Sequence, residues 1–198
     1  SRTASHSNLW SRVDSRHVTL TSVDGSGQVG ARPVVLTESP GGAMSISLHR
    51  TFEVERPVED VWHFLTDPHS IAGCMPGAQL LDIVDGTFVG EVNLKLGPLG
   101  TTLAGEAGFR ELDTANHSVL MAAAAKEVSG DGEADLRMRS RLSVRSDSRT
   151  SVDVRLGVRL EGRLNGPILS RVLAGAAEIL LRRFASCVRH RLETADVS

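Results

Sequence analysis

The sequence predicts an α+β domain, one antiparallel sheet with its helices gathered on a single face. Two observations carry the prediction. Six consecutive segments between residues 79 and 161 alternate apolar and polar residues, the signature of half-buried strands. They are followed by a run to about Leu192 whose apolar residues recur at helical spacing. The bulk composition agrees: 198 residues, 40% of them hydrophobic, with 19 glycines, suit one ordinary globular domain. No apolar run is long enough for a transmembrane helix. A net charge of -2 excludes a generic nucleic-acid binder. Cys74 and Cys187 are too few for a disulfide scaffold and read as small buried hydrophobes.

Residues 1–43 are rich in Ser, Thr, Gly and Arg, with scattered apolar residues and no secretory signal. They are expected to be a disordered or non-native extension. Met44 is the expected natural start, and residues 44–193 the folded domain. The alternative is a short docked strand at His17–Val23 or Val34–Thr37.

Ile46–Val54 suits a strand. Pro57 then opens a helix whose first turn holds Glu59 and Asp60, where the helix dipole favours acids. Val58, Val61, Trp62 and Leu65 form its apolar face, and Asp67-Pro68 ends it. A short turn over Ser70–Cys74 leads to Pro76-Gly77. Asp85-Gly86 joins Gln79–Val84 to Thr87–Leu96 as a hairpin. Pairing Ile83 with Phe88 sets Leu81 against Gly90 and Gln79 against Val92. After Gly97-Pro98-Leu99-Gly100, pairing Leu96 with Thr101 sets Leu94 against Leu103 and Phe88 against Phe109. Ser129-Gly130-Asp131 connects Val119–Val128 to Gly132–Arg145, with Lys126 expected opposite Asp135 and Ala123 opposite Met138. In the last hairpin Arg145 is paired with Arg149, because this places Arg141 against Asp153 and Asp135 against Arg159 rather than Arg against Arg. Asn165-Gly166-Pro167 starts the final helix. Its apolar stripe is Ile168, Leu169, Val172, Leu173, Ala176, Ile179, Leu180, Phe184, Cys187 and Val188. About 25 helical residues span roughly 38 Å, the length of a 12-residue strand at roughly 3.3 Å per residue. The long C-terminal helix can therefore lie along a seven-stranded antiparallel sheet that wraps around it, the helix-grip architecture.

The inward positions are unusually small. Gly90, Gly105, Ala107, Ala123 and Ala125 cluster on neighbouring strands. Either the helix approaches very closely, or a cavity remains for an apolar ligand. A cavity would be lined by Phe88, Gly90, Val92 and Leu94, then Leu103, Gly105, Ala107 and Phe109, then Met121 and Ala123. Leu136, Met138, Ser140, Val154 and Leu156 continue it, with Leu173, Ala176 and Leu180 from the helix. Few inward positions are polar, namely Ser140, Glu127 and Gln79, and Glu127 reads as solvated rim near a strand end. No catalytic constellation emerges. The chain has no Tyr, His63 reads as a surface residue, and no His, Cys, Asp or Glu pair has metal-ligand spacing.

Charge is divided along the chain. Residues 44–136 hold 5 Lys and Arg against 15 acids, and residues 137–191 hold 13 Arg against 4 acids. Arg137, Arg139, Arg141, Arg155 and Arg159 fall on the outer face of the last hairpin, and Arg171, Arg182, Arg183, Arg189 and Arg191 on the helix. Either the two halves neutralise each other, or the hairpin face docks on an anionic partner, an acidic protein or anionic lipid.

Phe52-Glu53-Val54, Pro57, Glu59, Val61-Trp62, Phe64-Leu65, Asp67-Pro68, Ile71-Ala72, Cys74 and Pro76-Gly77 resemble the opening of the carbon monoxide dehydrogenase G-subunit family. That family belongs to the START-like, polyketide cyclase/Bet v 1-like (SRPBCC) superfamily. Lys95–Gly100, Gly105, Gly130-x-Gly132 and Gly162-x-Leu164 continue the likeness over about Ile46 to Leu192. The resemblance implies a helix-grip fold with a deep apolar cavity for a lipid or quinone, and no covalent cofactor. It implies a non-enzymatic accessory of a molybdenum hydroxylase of the carbon monoxide dehydrogenase type, supplying an electron acceptor or recruiting the enzyme to the membrane. The expected location is the cytoplasm, peripheral to the inner face of the cell membrane. The alternative is a cyclase- or aromatase-like enzyme on the same fold. No catalytic residue carries over, because the motif is structural.

Overall fold

The computed structural model describes residues 18–20, 31–38, 43–96, 99–165 and 167–194. β1 (Val18–Leu20), β2 (Ala31–Glu38) and β3 (Met44–Val54) lead into two short helices, α1 (Val58–Thr66) and α2 (Pro68–Cys74). Six strands follow: β4 (Ala78–Val84), β5 (Thr87–Leu96), β6 (Leu99–Asp113), β7 (Ser118–Glu127), β8 (Glu133–Ser146) and β9 (Arg149–Glu161). A 3-10 turn at Gly162–Asn165 then enters α3 (Pro167–Thr194). The strands form one antiparallel sheet in the order β1-β2-β3-β9-β8-β7-β6-β5-β4. The helix-grip architecture is as expected, with nine strands instead of seven. The two additional strands lie upstream of Met44, in the segment expected to be outside the domain, and pair onto β3 through β2. The rest of residues 1–43, and the Gly97-Pro98 pair, lie outside the described residues.

The helices start and stop where their sequence dictates. Asp67 closes α1 and caps α2, its carboxylate accepting from the Ser70 N–H at 2.8 Å, with Pro68 in the first turn. Hydrogen bonding from the Ser70 side chain, and then from its N–H, holds the Asp67 carboxyl below its ordinary range. Asp85 and Gly86 both adopt positive φ, as a tight two-residue hairpin turn requires.

Register departs from expectation in three hairpins and agrees in the fourth. Leu81 forms a bulge in β4, so Leu80 rather than Leu81 meets Gly90, and Gln79 turns to the exposed side. β5 and β6 pair two residues tighter, with Leu94 against Thr101 and Phe88 against Ala107. β7 and β8 also shift by two, placing Lys126 against Glu133, with which it forms a 2.9 Å ion pair. The β8–β9 hairpin has the register expected from charge, Arg141 against Asp153 and Asp135 against Arg159, although it opposes Arg139 to Arg155, and a bulge at Arg145 sets Ser146 rather than Arg145 against Arg149. A shift of two preserves the face each side chain occupies, so the inner face keeps its expected residues.

α3 is buried through Leu173, Ala174, Leu181, Phe184, Ala185 and Val188. Its core-facing stripe is rotated from the expected one, leaving Ile168, Val172 and Ile179 exposed. The Arg56 Nε donates to the Leu192 carbonyl at 2.6 Å, and the Glu193 carboxylate accepts from the Glu55 N–H at 2.9 Å. Cys74 and Cys187 form a disulfide between α2 and α3, 113 residues apart in sequence. The reading of both cysteines as free hydrophobes is thereby corrected. They do sit in the apolar core, and α2 and α3 bring their Cα atoms to 5.5 Å, within bonding range.

The turn before α3 is locked to the β7–β8 hairpin. Glu127 is buried, not on a solvated rim. Its carboxylate accepts from the Arg163 Nε at 2.5 Å, from a second guanidinium N–H, and from the Thr101 hydroxyl. The Arg163 hydrogen bonds hold its carboxyl below the ordinary range. The motif glycines make this corner possible: a Cβ on Gly132 would stand 2.5 Å from Leu164 Cγ, and one on Gly162, at φ +62°, would stand 2.2 Å from the Asp131 carbonyl.

Both ties can be tested by breaking them. Reducing the disulfide, or substituting Cys187→Ser, should lower stability by about 4 kcal/mol, given the length of chain it closes; denaturant titration with and without reductant measures this. Because the folded Glu127 carboxyl titrates below its unfolded value, its stabilisation is present above about pH 4.3 and lost as pH falls through the lower folded value. Arg163→Ala should therefore destabilise the fold at neutral pH by stranding the buried Glu127 carboxylate. The deficit should shrink in acid, where Glu127 becomes neutral, as thermal melts across pH would report.

Candidate functional site

The candidate site is the inner face of the sheet beside α3. Cross-strand pairing places every strand residue expected to line a cavity on this one face. Phe88, Gly90, Val92 and Leu94 on β5 meet Ala107, Gly105, Leu103 and Thr101 on β6. Met121 and Ala123 on β7 meet Met138 and Leu136 on β8, which meet Leu156 and Val158 on β9. Phe109 stands edge-on to Phe88, ring centroids 5.2 Å apart.

Burial varies sharply across this face. On β3 and β9 it is closed: Ile46, Leu48, Phe52, Val152, Val154 and Leu160 are all buried, as are Ser140 and Met121. On β5, β6 and the central part of β7 and β8 it is not. Val92, Leu94, Leu103, Ala107, Ala123, Leu136 and Met138 point inward yet remain half-accessible, as do Leu156, Ala176 and Leu180. Of these, Leu94, Leu103, Met138 and Leu156 pack against the core while only partly buried. α3 lies chiefly on β3, and the apolar inner face is least buried along β5–β8. His69, Leu80, Leu81, Asp82 and Ile83 line a groove at its β4 edge.

The small residues divide into two kinds. A Cβ on Gly105 would lie 2.1 Å from the Ala124 carbonyl oxygen, and one on Gly90 would lie 2.5 Å from that of Gln79. Both glycines are therefore required by close approach of adjacent strands, independently of what stands opposite the sheet. Ala107 and Ala123 face inward on β6 and β7 and are partly buried.

Of the polar inner groups, Glu127 is expected inward as solvated rim but is buried, and one other escaped the sequence reading. Arg50 pairs with Val154 on β9 and so shares the inner face with Leu48 and Phe52. The signal was the β3 alternation itself, in which every even position from Met44 to Val54 faces inward. Among the described residues no group of three His, Cys, Asp or Glu could hold a metal ion. His63 is exposed, as expected of a surface residue.

The expected docking arginines, Arg137, Arg139, Arg141, Arg155 and Arg159, are all exposed. Their field is largely offset. Arg139 pairs with Glu111 at 3.1 Å, Arg155 with Asp153 at 3.5 Å and Arg159 with Glu161 at 2.8 Å. Nearby, Arg149 pairs with Glu55 at 2.6 Å. Asp153 also accepts from His49 and from the Thr51 hydroxyl at 3.1 Å. Although burial pushes the Asp153 carboxyl upward, these bonds hold it below its ordinary range. The basic and acidic halves of the chain meet on this face.

Solved structures with the same fold include a conserved protein from Geobacillus kaustophilus, at a TM-score of 0.65 and 17% identity over 74% of this chain and 95% of that one. The Zhui aromatase/cyclase from Streptomyces sp. R1128 follows at 0.52 and 15% identity, over 75% and 94%. A START superfamily protein from Mycobacterium smegmatis gives 0.53 and 14% identity, over 74% and 97%. At these identities the likeness is one of fold. A search of curated proteins finds no match. The model of one family, the carbon monoxide dehydrogenase G subunit (CoxG), matches residues 51–193. That span takes in α1, α2, β4–β9 and all but the end of α3, and the chain belongs to the CoxG family.

Proposed function

We propose that this chain is a non-enzymatic carrier that holds an apolar small molecule, of lipid or quinone type, against the least buried inner face, along β5–β8. We propose further that it serves a molybdenum hydroxylase of the carbon monoxide dehydrogenase type at a membrane surface. The observation that carries the reading is the set of inward, apolar and half-accessible side chains, Val92, Leu94, Leu103, Leu136 and Met138. A folded chain leaves such a face open at a cost of roughly 25 cal/mol for each Å² not buried, and a ligand recovers that energy. Family membership supports the partner.

A cyclase-like enzyme is the second reading, favoured by the likeness of fold to the Zhui aromatase/cyclase. Against it weighs the state of Glu127. A carboxyl held ionised by Arg163 and Thr101 is a poor proton donor near neutrality.

The surface best suited to a membrane is α3 rather than the last hairpin. No helix among the described residues is long and apolar enough to cross a bilayer. The outer side of α3, however, exposes Ile168, Val172 and Ile179 together with Arg171, Arg182, Arg183 and Arg189. Unlike most of the hairpin arginines, these four have no ion pair among the described residues. Exposed apolar residues flanked by unpaired arginines suit an anionic bilayer surface.

Two experiments test these proposals. Ala123→Leu projects from that inner face and should cost well under 1 kcal/mol, against the roughly 1–3 kcal/mol of overpacking, while expelling co-purifying organic molecules detected by mass spectrometry of extracts. Gly105→Ala should be the more destabilising change despite its smaller volume. A large loss of stability in Ala123→Leu with no ligand ever recovered would overturn the carrier. Binding to anionic vesicles should weaken with salt and with Arg182→Ser, Arg183→Ser and Arg189→Ser, each worth about 1 kcal/mol. Arg137→Ser should have little effect in the same sedimentation assay, and equal losses at both sites would reject α3 as the docking face.

A further inference from the structure

Exposed large apolar side chains are concentrated in two places. Among the described residues nine stand exposed, and six of them form two groups: Leu81, Ile83 and Val84 on β4, and Ile168, Val172 and Ile179 on α3. The other three, Leu112, Val128 and Val144, lie singly at or beside the ends of β6, β7 and β8. Single exposed apolar residues need no explanation, whereas grouped ones mark surfaces that a partner covers.

The two groups carry opposite charge. β4 and the turn after it hold Asp82 and Asp85 and no cation. β5 adds Glu91, set against Gln79, and its one cation, Lys95, lies at the far end of the strand. The α3 stripe is flanked instead by Arg171, Arg182 and Arg183, all exposed and at helical spacing from its apolar residues. Asp82, Asp85, Glu91 and these three arginines have no ion pair among the described residues.

β4 is the last strand of the sheet, so its outer edge is open. The bulge at Leu81 and the charge of Asp82 blunt that edge against an added strand. A side-chain groove is left, lined by His69, Leu80, Leu81, Asp82 and Ile83, and an apolar helical stripe is what fills such a groove. Ile168 to Ile179 covers roughly 16 Å of helix. α3 touches β5, the neighbour of β4, which sets stripe and groove at one border of the molecule. The stripe of one copy therefore reaches the groove of another while the reverse contact forms across a two-fold axis.

We propose that this chain forms a reciprocal homodimer in which the α3 stripe of each copy covers the β4 groove of the other, Arg171, Arg182 and Arg183 meeting Asp82, Asp85 and Glu91. The contact takes both apolar groups out of water and sets each free charge against its opposite. Neither the carrier nor the membrane surface is required for it. It competes with the membrane for α3: a chain is either dimeric or docked, so the dimer is assayed without vesicles.

The test is sedimentation equilibrium of the full chain across a concentration series at low and high salt. The native chain should reach a dimer and no larger species, because a reciprocal contact closes on itself, and added salt should weaken it. Asp82→Lys and Arg182→Glu should each raise the dimer dissociation constant about tenfold or more, since each brings like charges together. Mixing the two variants should restore the dimer, because in the mixed pair one contact is native and the other carries both reversals. Ile179→Ser should weaken the dimer at every salt concentration. All three positions are exposed, thermal melts verify folding, and where Arg182→Glu does not fold Arg183→Glu takes its place. A native chain that stays monomeric at every concentration would overturn the proposal, as would a dimer that the substitutions leave intact or a mixture that fails to recover. Growth beyond the dimer would reveal an open, head-to-tail contact and overturn the reciprocal one.

Discussion

The C-terminal half of α3 is held by several unlike attachments. The Cys74–Cys187 disulfide ties it to α2, and Arg191 donates to the Gly73 carbonyl at 3.2 Å. Arg56 and Glu55, just beyond the end of β3, bind Leu192 and Glu193. Below these contacts Leu181, Phe184, Ala185 and Val188 are buried against the closed side of the sheet. The N-terminal half buries Leu173 and Ala174 and turns Ile168, Val172 and Ile179 outward to water. Fixing the C-terminal half of a long helix over one side of a curled sheet sets the gradient of burial between β3 and β5.

Much of this was legible because strand alternation is robust. In the β5–β6 and β7–β8 hairpins the expected pairing misses by two residues, and the inner face survives both errors. The β8–β9 register was readable because the alternative opposes two arginine pairs, Arg141–Arg155 and Arg137–Arg159, where the observed one opposes only Arg139 to Arg155. What could not be read depended on distance between segments remote in sequence. No local pattern announces that α2 and α3 bring Cys74 beside Cys187, or that Arg163 reaches Glu127 across 36 residues. The rotation of the α3 stripe is another such case. Its apolar residues are broad enough in azimuth to fit either orientation, and contact with the sheet chooses. Arg50 differs from these, since alternation alone exposes it once the strand is granted.

Charge shows the same dependence on context. Arginine dominates residues 137–191, yet on the sheet it mostly meets acids contributed from earlier strands, Glu111, Glu53 and Glu55 among them. Exposed pairs of this kind contribute little stability each. Their effect is to flatten the potential over the hairpin. On α3 the arginines have no such neighbours, so a sequence-level excess becomes a local field only on the helix.

The Leu81 bulge carries a consequence for how this sheet tolerates changes of length. A hairpin altered by two residues slides its register and still presents the same face. An alteration by one residue would turn the remainder of a strand inside out. The bulge in β4 absorbs such an odd step: Leu80 faces Gly90 before it, Ile83 faces Phe88 after it, and both remain on the inner side. Length variation should therefore be cheap in even steps everywhere in the sheet. Single-residue insertions should concentrate at its edge, where one unpaired residue disturbs only one neighbouring strand.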